Sequence, residues 1–171
     1  MKICFKKGDL PDVLVWLITI FILAMGLFVF AFVIPTIGTG LNDAGMNSSI
    51  EGADAITTFS SIGTVTIQRG FFMLFAGLIM GVMISSFLIR THPIFMFLYV
   101  IFLGLAVFLS TYFGNAYEDL TEQAIFSGTL ASQGLINVVM NNLPKITLGV
   151  GALSIIIVFA KFSSLRGGQD I

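Results

Sequence analysis

Apolar and polar positions fall in long blocks along this chain, not in the short periods of a soluble helix or strand. Residues 13–34, 71–89 and 94–113 are charge-free apolar runs. Each is roughly 20 residues long, so at ~1.5 Å rise per residue it spans about 30 Å, the hydrocarbon thickness of a bilayer. A fourth run, 146–160, is shorter, but Lys161 can snorkel and Phe162 extends the apolar length, so it predicts a last membrane helix over 146–162. The pattern therefore predicts an all-α polytopic membrane protein, a single membrane domain over residues 1–171. Its transmembrane helices are expected at 13–34, 71–89, 94–113 and 146–162.

The joints are written locally. Arg90-Thr91-His92-Pro93 alone separates the second and third runs. So short a connection predicts an antiparallel helical hairpin of packed neighbours over 71–113. All four prolines, Pro11, Pro35, Pro93 and Pro144, fall at or just outside expected helix ends, where a helix tolerates them at low cost. Polar connections are expected at 35–70 and 114–145. In the first, Gly38, Gly40, Asn42, Asp43 and Gly45 read as loop. Ser48-Ser49-Ile50-Glu51 then reads as a capping box with Ser48 as N-cap. Behind it, Ile50, Ala53, Ile56 and Phe59 recur every third residue and predict a short amphipathic helix, lying in the membrane interface or packed on the surface. Thr64 to Ile67 is β-prone but too short to build on. In the second connection, Gly114 and Asn115 end the third membrane helix, and part of 129–142 is expected to be amphipathic helix.

Composition narrows the class. Hydrophobic residues make up 57% of the 171 and charged residues 10%, against about 25% charged in soluble domains. The mean hydropathy is +1.03. The basic N-terminal segment followed by an apolar run mimics a secretory signal, but the run is too long and no small-x-small cleavage site follows it, so a retained first helix is expected. With four spans, both termini and the 90–93 turn share one side. That side collects Lys2, Lys6, Lys7, Arg90, Lys161 and Arg166, while the other holds Arg69 and Lys145. The imbalance predicts an N-in, C-in topology. The Lys and Arg residues form no basic stripe, so no nucleic-acid partner is expected.

Candidate chemistry is thin. No ionisable residue lies inside an apolar run, which counts against a pump, transporter or voltage sensor. One cysteine, Cys4, and one histidine, His92, cannot by themselves form a disulfide or a metal site. No nucleotide-binding, triad or zinc signature is present, and Glu118, Asp119 and Glu122 lack calcium-loop spacing. No enzymatic activity, cofactor or metal is expected. The informative signal is packing. Gly70, Gly77, Gly81 and Ser85 follow one another at helical spacing, and Gly77 to Gly81 is a GxxxG unit, which lets another helix backbone approach closely. Gly149, Gly151 and Ala152 are the expected partners within the chain, and self-association through Gly77 and Gly81 is the alternative.

The order of features in the second half carries a resemblance. Arg90-Thr91-His92-Pro93-Ile94-Phe95, an apolar helix, Asn115-Ala116-Tyr117-Glu118, then Asn142-Leu143-Pro144-Lys145 and a last helix resemble small membrane proteins of icosahedral bacterial viruses with an internal lipid membrane. The likeness covers residues 90–160; residues 1–89 share hydrophobicity alone. It implies a structural virion protein embedded in the vesicle under the capsid, in a membrane derived from the bacterial inner membrane. Its partners would be the lipid bilayer and other membrane or capsid proteins. Lys6, Lys7, Arg90, His92, Lys161 and Arg166 are then the expected contacts to headgroups or shell. An oligomeric pore, holin-like or channel subunit is the alternative function, and an accessory subunit of a bacterial membrane complex a third.

Overall fold

The computed structural model describes residues 12–88 and 93–166. Among them there is helix and turn and no strand. Helix α1, Asp12–Asp43, has 32 residues and is therefore about 48 Å long. A tight turn through Met46–Ser48 reverses the chain. Helix α2, Ile50–Ser61, a π-helical segment, Ile62–Thr66, and helix α3, Ile67–Leu88, then follow without a break. Together they form one rod of 39 residues, about 58 Å long and nearly twice the hydrocarbon thickness. Helix α4, Pro93–Thr121, comes next. Two short helices, α5 at Ser127–Ser132 and α6 at Gly134–Asn141, lead into α7, Leu143–Arg166.

Four of these helical stretches are long and apolar enough to cross a membrane. Their outward faces carry large apolar side chains: Met73 is 75% exposed and Phe97 71%. Water would drive such surface together, whereas acyl chains solvate it, so lipid is the solvent this fold is built for.

Several boundaries lie outside those the sequence suggests. Helix α1 continues through Pro35 to Asp43, so Gly38, Gly40, Asn42 and Asp43 are helical and not loop. A proline inside a helix costs ~3 kcal/mol because it removes the bond to the carbonyl four residues back. Here α2 packs along this part of α1, and the Thr36 and Thr39 hydroxyls donate to the Phe32 and Pro35 carbonyls at 2.7 and 3.1 Å. The turn falls instead at Gly45, whose φ of 80° lies in the left-handed region that glycine enters freely. The N-cap of α2 is Ser49, whose Oγ accepts from the Gly52 N–H at 3.1 Å. Ser48 is taken up by the preceding turn and donates to the Gly45 carbonyl. The amphipathic segment behind it is α2, and it packs on α1. The β-prone Thr64 to Ile67 stretch is helical, α4 passes Gly114 and Asn115 without ending, and Pro144 is the second residue of α7.

The packing order also departs from the expected one. Helix α1 packs on α3 and on α4, and α7 packs on the same two helices. Consecutive α3 and α4 therefore stand at opposite corners of a four-helix square, and among the described residues they are not packed neighbours. Helices ~8–10 Å apart along the edges put diagonal corners roughly 11–14 Å apart. A four-residue link reaches about 13–14 Å when extended, so a short connection does not require adjacency.

The core runs along the axis of this square. Leu17, Ile20 and Phe28 of α1, Phe71 of α3, Ala106 and Tyr117 of α4, and Ile136, Met140 and Leu143 from the α6–α7 region are fully buried. Phe21 stacks on Phe113 at 4.3 Å between centroids, and Phe28 meets the edge of Tyr117 at 5.5 Å. Phe126, in the turn before α5, packs on Phe28 and Phe32 and lids the polar end. Beyond that lid, among the described residues, α2 packs chiefly on α1 and on the two segments flanking it. The far third of α1 and all of α2 thus form a two-helix arm standing on the four-helix body.

Candidate functional site at the base of the arm

The arm meets the body where the π-helical segment faces Pro35. A Cβ added at Gly63 would lie 2.5 and 2.6 Å from the Pro35 Cγ and Cδ. Only a glycine lets the π segment come this close to the proline ring. A π turn takes one extra residue per turn, so its carbonyls lose the regular spacing of their helical donors. One side chain meets two of them. Gln133, between α5 and α6 and 0% exposed, donates from Nε2 to the Gly63 carbonyl at 2.7 Å and to the Thr64 carbonyl at 3.3 Å. This contact joins residues nearly seventy positions apart in the chain. Its Oε1 is buried without a hydrogen-bond partner. Such a group costs about 1–3 kcal/mol unless its other bonds offset it, and here the two bonds from Nε2 are what offset it.

Outside the same π turn lies a pocket of about 390 Å³, lined by Thr64, Val65, Gln68, Arg69, Phe72, Met73 and Leu135. Arg69 is exposed at its rim. Thr64 Oγ1 already donates to the Ser60 carbonyl at 2.9 Å. The pocket thus offers guanidinium and amide donors at one end and apolar surface at the other. Such donors can hold a hydrogen-bond acceptor. Among the described residues no three His, Cys, Asp or Glu side chains gather as a metal site.

The residues expected to pack do so unequally. Gly151 is buried, and a Cβ there would run into the Leu103 side chain of α4. Gly149 and Ala152 are exposed. Gly70, Gly77 and Gly81 are exposed on α3, with open space where a Cβ would stand. The structure therefore does not bring the Gly77–Gly81 stripe onto α7. Ser85, with Gly81 and Val82, lines a groove against Val15, Trp16 and Thr19 of α1.

Of the expected headgroup or shell contacts, Lys161 donates from Nζ to the Phe87 carbonyl at 2.7 Å. A cation there suits the negative end of α3 and ties α7 to it. Arg166 is the last residue of α7. Lys6, Lys7, Arg90 and His92 lie outside the described residues.

Pro35, Gly63 and Gln133 were missed as a unit. Gln133 is a lone amide in the otherwise small and apolar stretch Leu130 to Val139, apart from Asn137. That was a usable signal for a buried polar contact. Its target was not readable, because backbone carbonyls are freed by a π turn that sequence periodicity does not reveal. No known protein family, curated protein or solved structure matches this chain.

Proposed function

We propose that this chain is a non-enzymatic structural protein of a membrane assembly, and specifically of a lipid-containing virion, where it anchors the bilayer to the protein layer beyond it. The observation that carries the reading is the arm. A four-helix body with lipid-facing sides bears a two-helix extension that, among the described residues, packs chiefly on itself and on the short segments flanking α2. From Pro35 to Asp43 the arm rises roughly 12 Å above its base, enough to clear a headgroup layer. Residues 36–68 hold Asp43, Glu51 and Asp54 and no Lys or Arg, so the arm is acidic and suited to a basic protein surface. By the charge imbalance the arm stands on the side away from the termini, with N-in, C-in topology. The likeness of residues 90–160 to virion membrane proteins adds the specific setting.

The experiment is purification of lipid-containing particles from infected bacteria, followed by mass spectrometry of their membrane fraction. The chain is expected there in many copies. Its recovery from host membranes alone would overturn the virion reading. Within one chain the bundle axis is filled by Leu17, Ile20, Phe28 and Phe71, so a pore-forming role needs several copies. The open Gly77–Gly81 stripe is the surface such copies would use. Ion flux from protein-loaded liposomes would favour that second reading, and its absence the first.

A further inference from the structure

We propose that the pocket outside the π turn is a phospholipid site, in which Arg69 holds the phosphate of one lipid of the arm-side leaflet. The proposal rests on the membrane location of the chain and not on the virion reading. The pocket's chemistry is graded with depth. Thr64, Gln68 and Phe72 follow at intervals of four along the rod, as do Val65, Arg69 and Met73, so both rows share one face. From Thr64 to Met73 the descent is about 13 Å. It passes from a hydroxyl, through an amide and a guanidinium, to an aromatic ring and a thioether. A phospholipid entering the bilayer shows the same order: headgroup, phosphate, glycerol esters, acyl chain. Arg69 stands two residues before Phe71, where the charge-free run begins, which is the depth of a phosphate.

Charge and shape agree with this occupant. The guanidinium presents a planar fork of donors matched to two phosphate oxygens. No carboxylate of the described residues is paired with it. The other cation of this side, Lys145, is already bonded to Asn142 Oδ1 at 3.1 Å. Leu135 of α6 forms the far wall, and α6 is held near the π turn by the Gln133 bonds to Gly63 and Thr64. The volume, about 390 Å³, lies in the range of built ligand sites and suits a headgroup with its glycerol. The rest of the lipid lies along Phe72 and Met73.

The test is native mass spectrometry of the purified full chain in detergent, titrated with dioleoylphosphatidylglycerol or dioleoylphosphatidylethanolamine. Wild type is expected to retain one lipid beyond the non-specific distribution. Arg69→Ala should lose about tenfold in affinity, the loss of one charge-assisted contact. Leu135→Trp, which fills the pocket and keeps the arginine, should lose as much, and Lys145→Ala should match wild type. Thermal melts in lipid-free detergent verify that each variant is folded; if Arg69→Ala is not, Leu135→Trp carries the test. Equal retention by wild type and Leu135→Trp would overturn the proposal, as would equal loss in Lys145→Ala. Displacement of either lipid by an equal concentration of inorganic phosphate would also overturn it, since the acyl contacts would then be idle. A chain soluble without detergent would instead sink the membrane reading itself.

Discussion

The close approach of Gly63 to Pro35 makes a sharp energetic prediction. Replacing Gly63 with alanine has two opposed effects. Alanine is the better helix former, by about 0.8–1.0 kcal/mol. Its methyl would also lie 2.5–2.6 Å from two ring carbons of Pro35, and a closed ring cannot swing aside as the end of a long side chain can. Overpacking of this kind costs about 1–3 kcal/mol. The net effect of Gly63→Ala is therefore a loss of roughly 0–2 kcal/mol in the natural background. With Pro35→Ala the obstructing carbons are gone, and the same substitution should stabilise by about 0.8–1.0 kcal/mol. The coupling between the two sites is then about 1–3 kcal/mol. Reversible unfolding in mixed micelles with increasing dodecyl sulfate, followed by circular dichroism for the four proteins of the cycle, measures it. Gly63→Ala shifts that agree within about 0.5 kcal/mol in both backgrounds would refute the contact, because independent sites add to that precision.

Other substitutions probe the remaining joints. Gln133→Leu should destabilise by about 1–3 kcal/mol, since it strips the donor from the Gly63 and Thr64 carbonyls, and amide exchange over residues 60–67 should quicken. Tyr117→Phe should be neutral or slightly stabilising in the same unfolding assay: the hydroxyl is buried without a hydrogen-bond partner, while the ring edge on Phe28 is kept. Ser49→Ala should cost about 1 kcal/mol at the arm tip and Ser48→Ala well under that, as read by exchange of the α2 amides. Gly151→Ile should lower the monomer's stability by about 1–3 kcal/mol against Leu103. Gly77→Ile should leave the monomer unchanged, because a Cβ there meets open space, and alter only oligomers seen by cross-linking.

Much of the body was legible because lipid makes a blunt demand. A span must be apolar for its full length, and charge-free runs with basic rims meet that demand one residue at a time. The start of α4 at Pro93 was readable for the same local reason. The arm was legible in part. The helix at Ile50–Ser61 was expected from its cap and its apolar spacing. Thr36 to Asp43, however, is mostly polar or small, with two glycines and a proline at the entry, and there local propensity speaks for loop. What holds that stretch helical is its packing on α2, and pairing between α1 and α2 is a tertiary fact. Adjacency of α3 and α4 was misread from the shortness of their link, because four extended residues reach across a diagonal as well as along an edge. The pocket at Arg69 combines both difficulties. Its two rows of lining residues sit on a regular helical face, but the wall at Leu135 comes from a distant segment.

The diagonal placement of α3 and α4 bears on how the chain is made. During synthesis α1, α3 and α4 enter the bilayer before α7 exists, and at that stage α1 alone bridges the other two. Their inner faces, with Phe71 on one side and Leu103 on the other, are left as a cleft open to acyl chains until Leu143–Arg166 arrives. The last helix is then a keystone, displacing lipid to close the ring, with Gly151 shaped for Leu103 and Lys161 latching onto the end of α3. A chain cut before residue 143 would lack the helix that closes this ring, and lipid would line the cleft in its place.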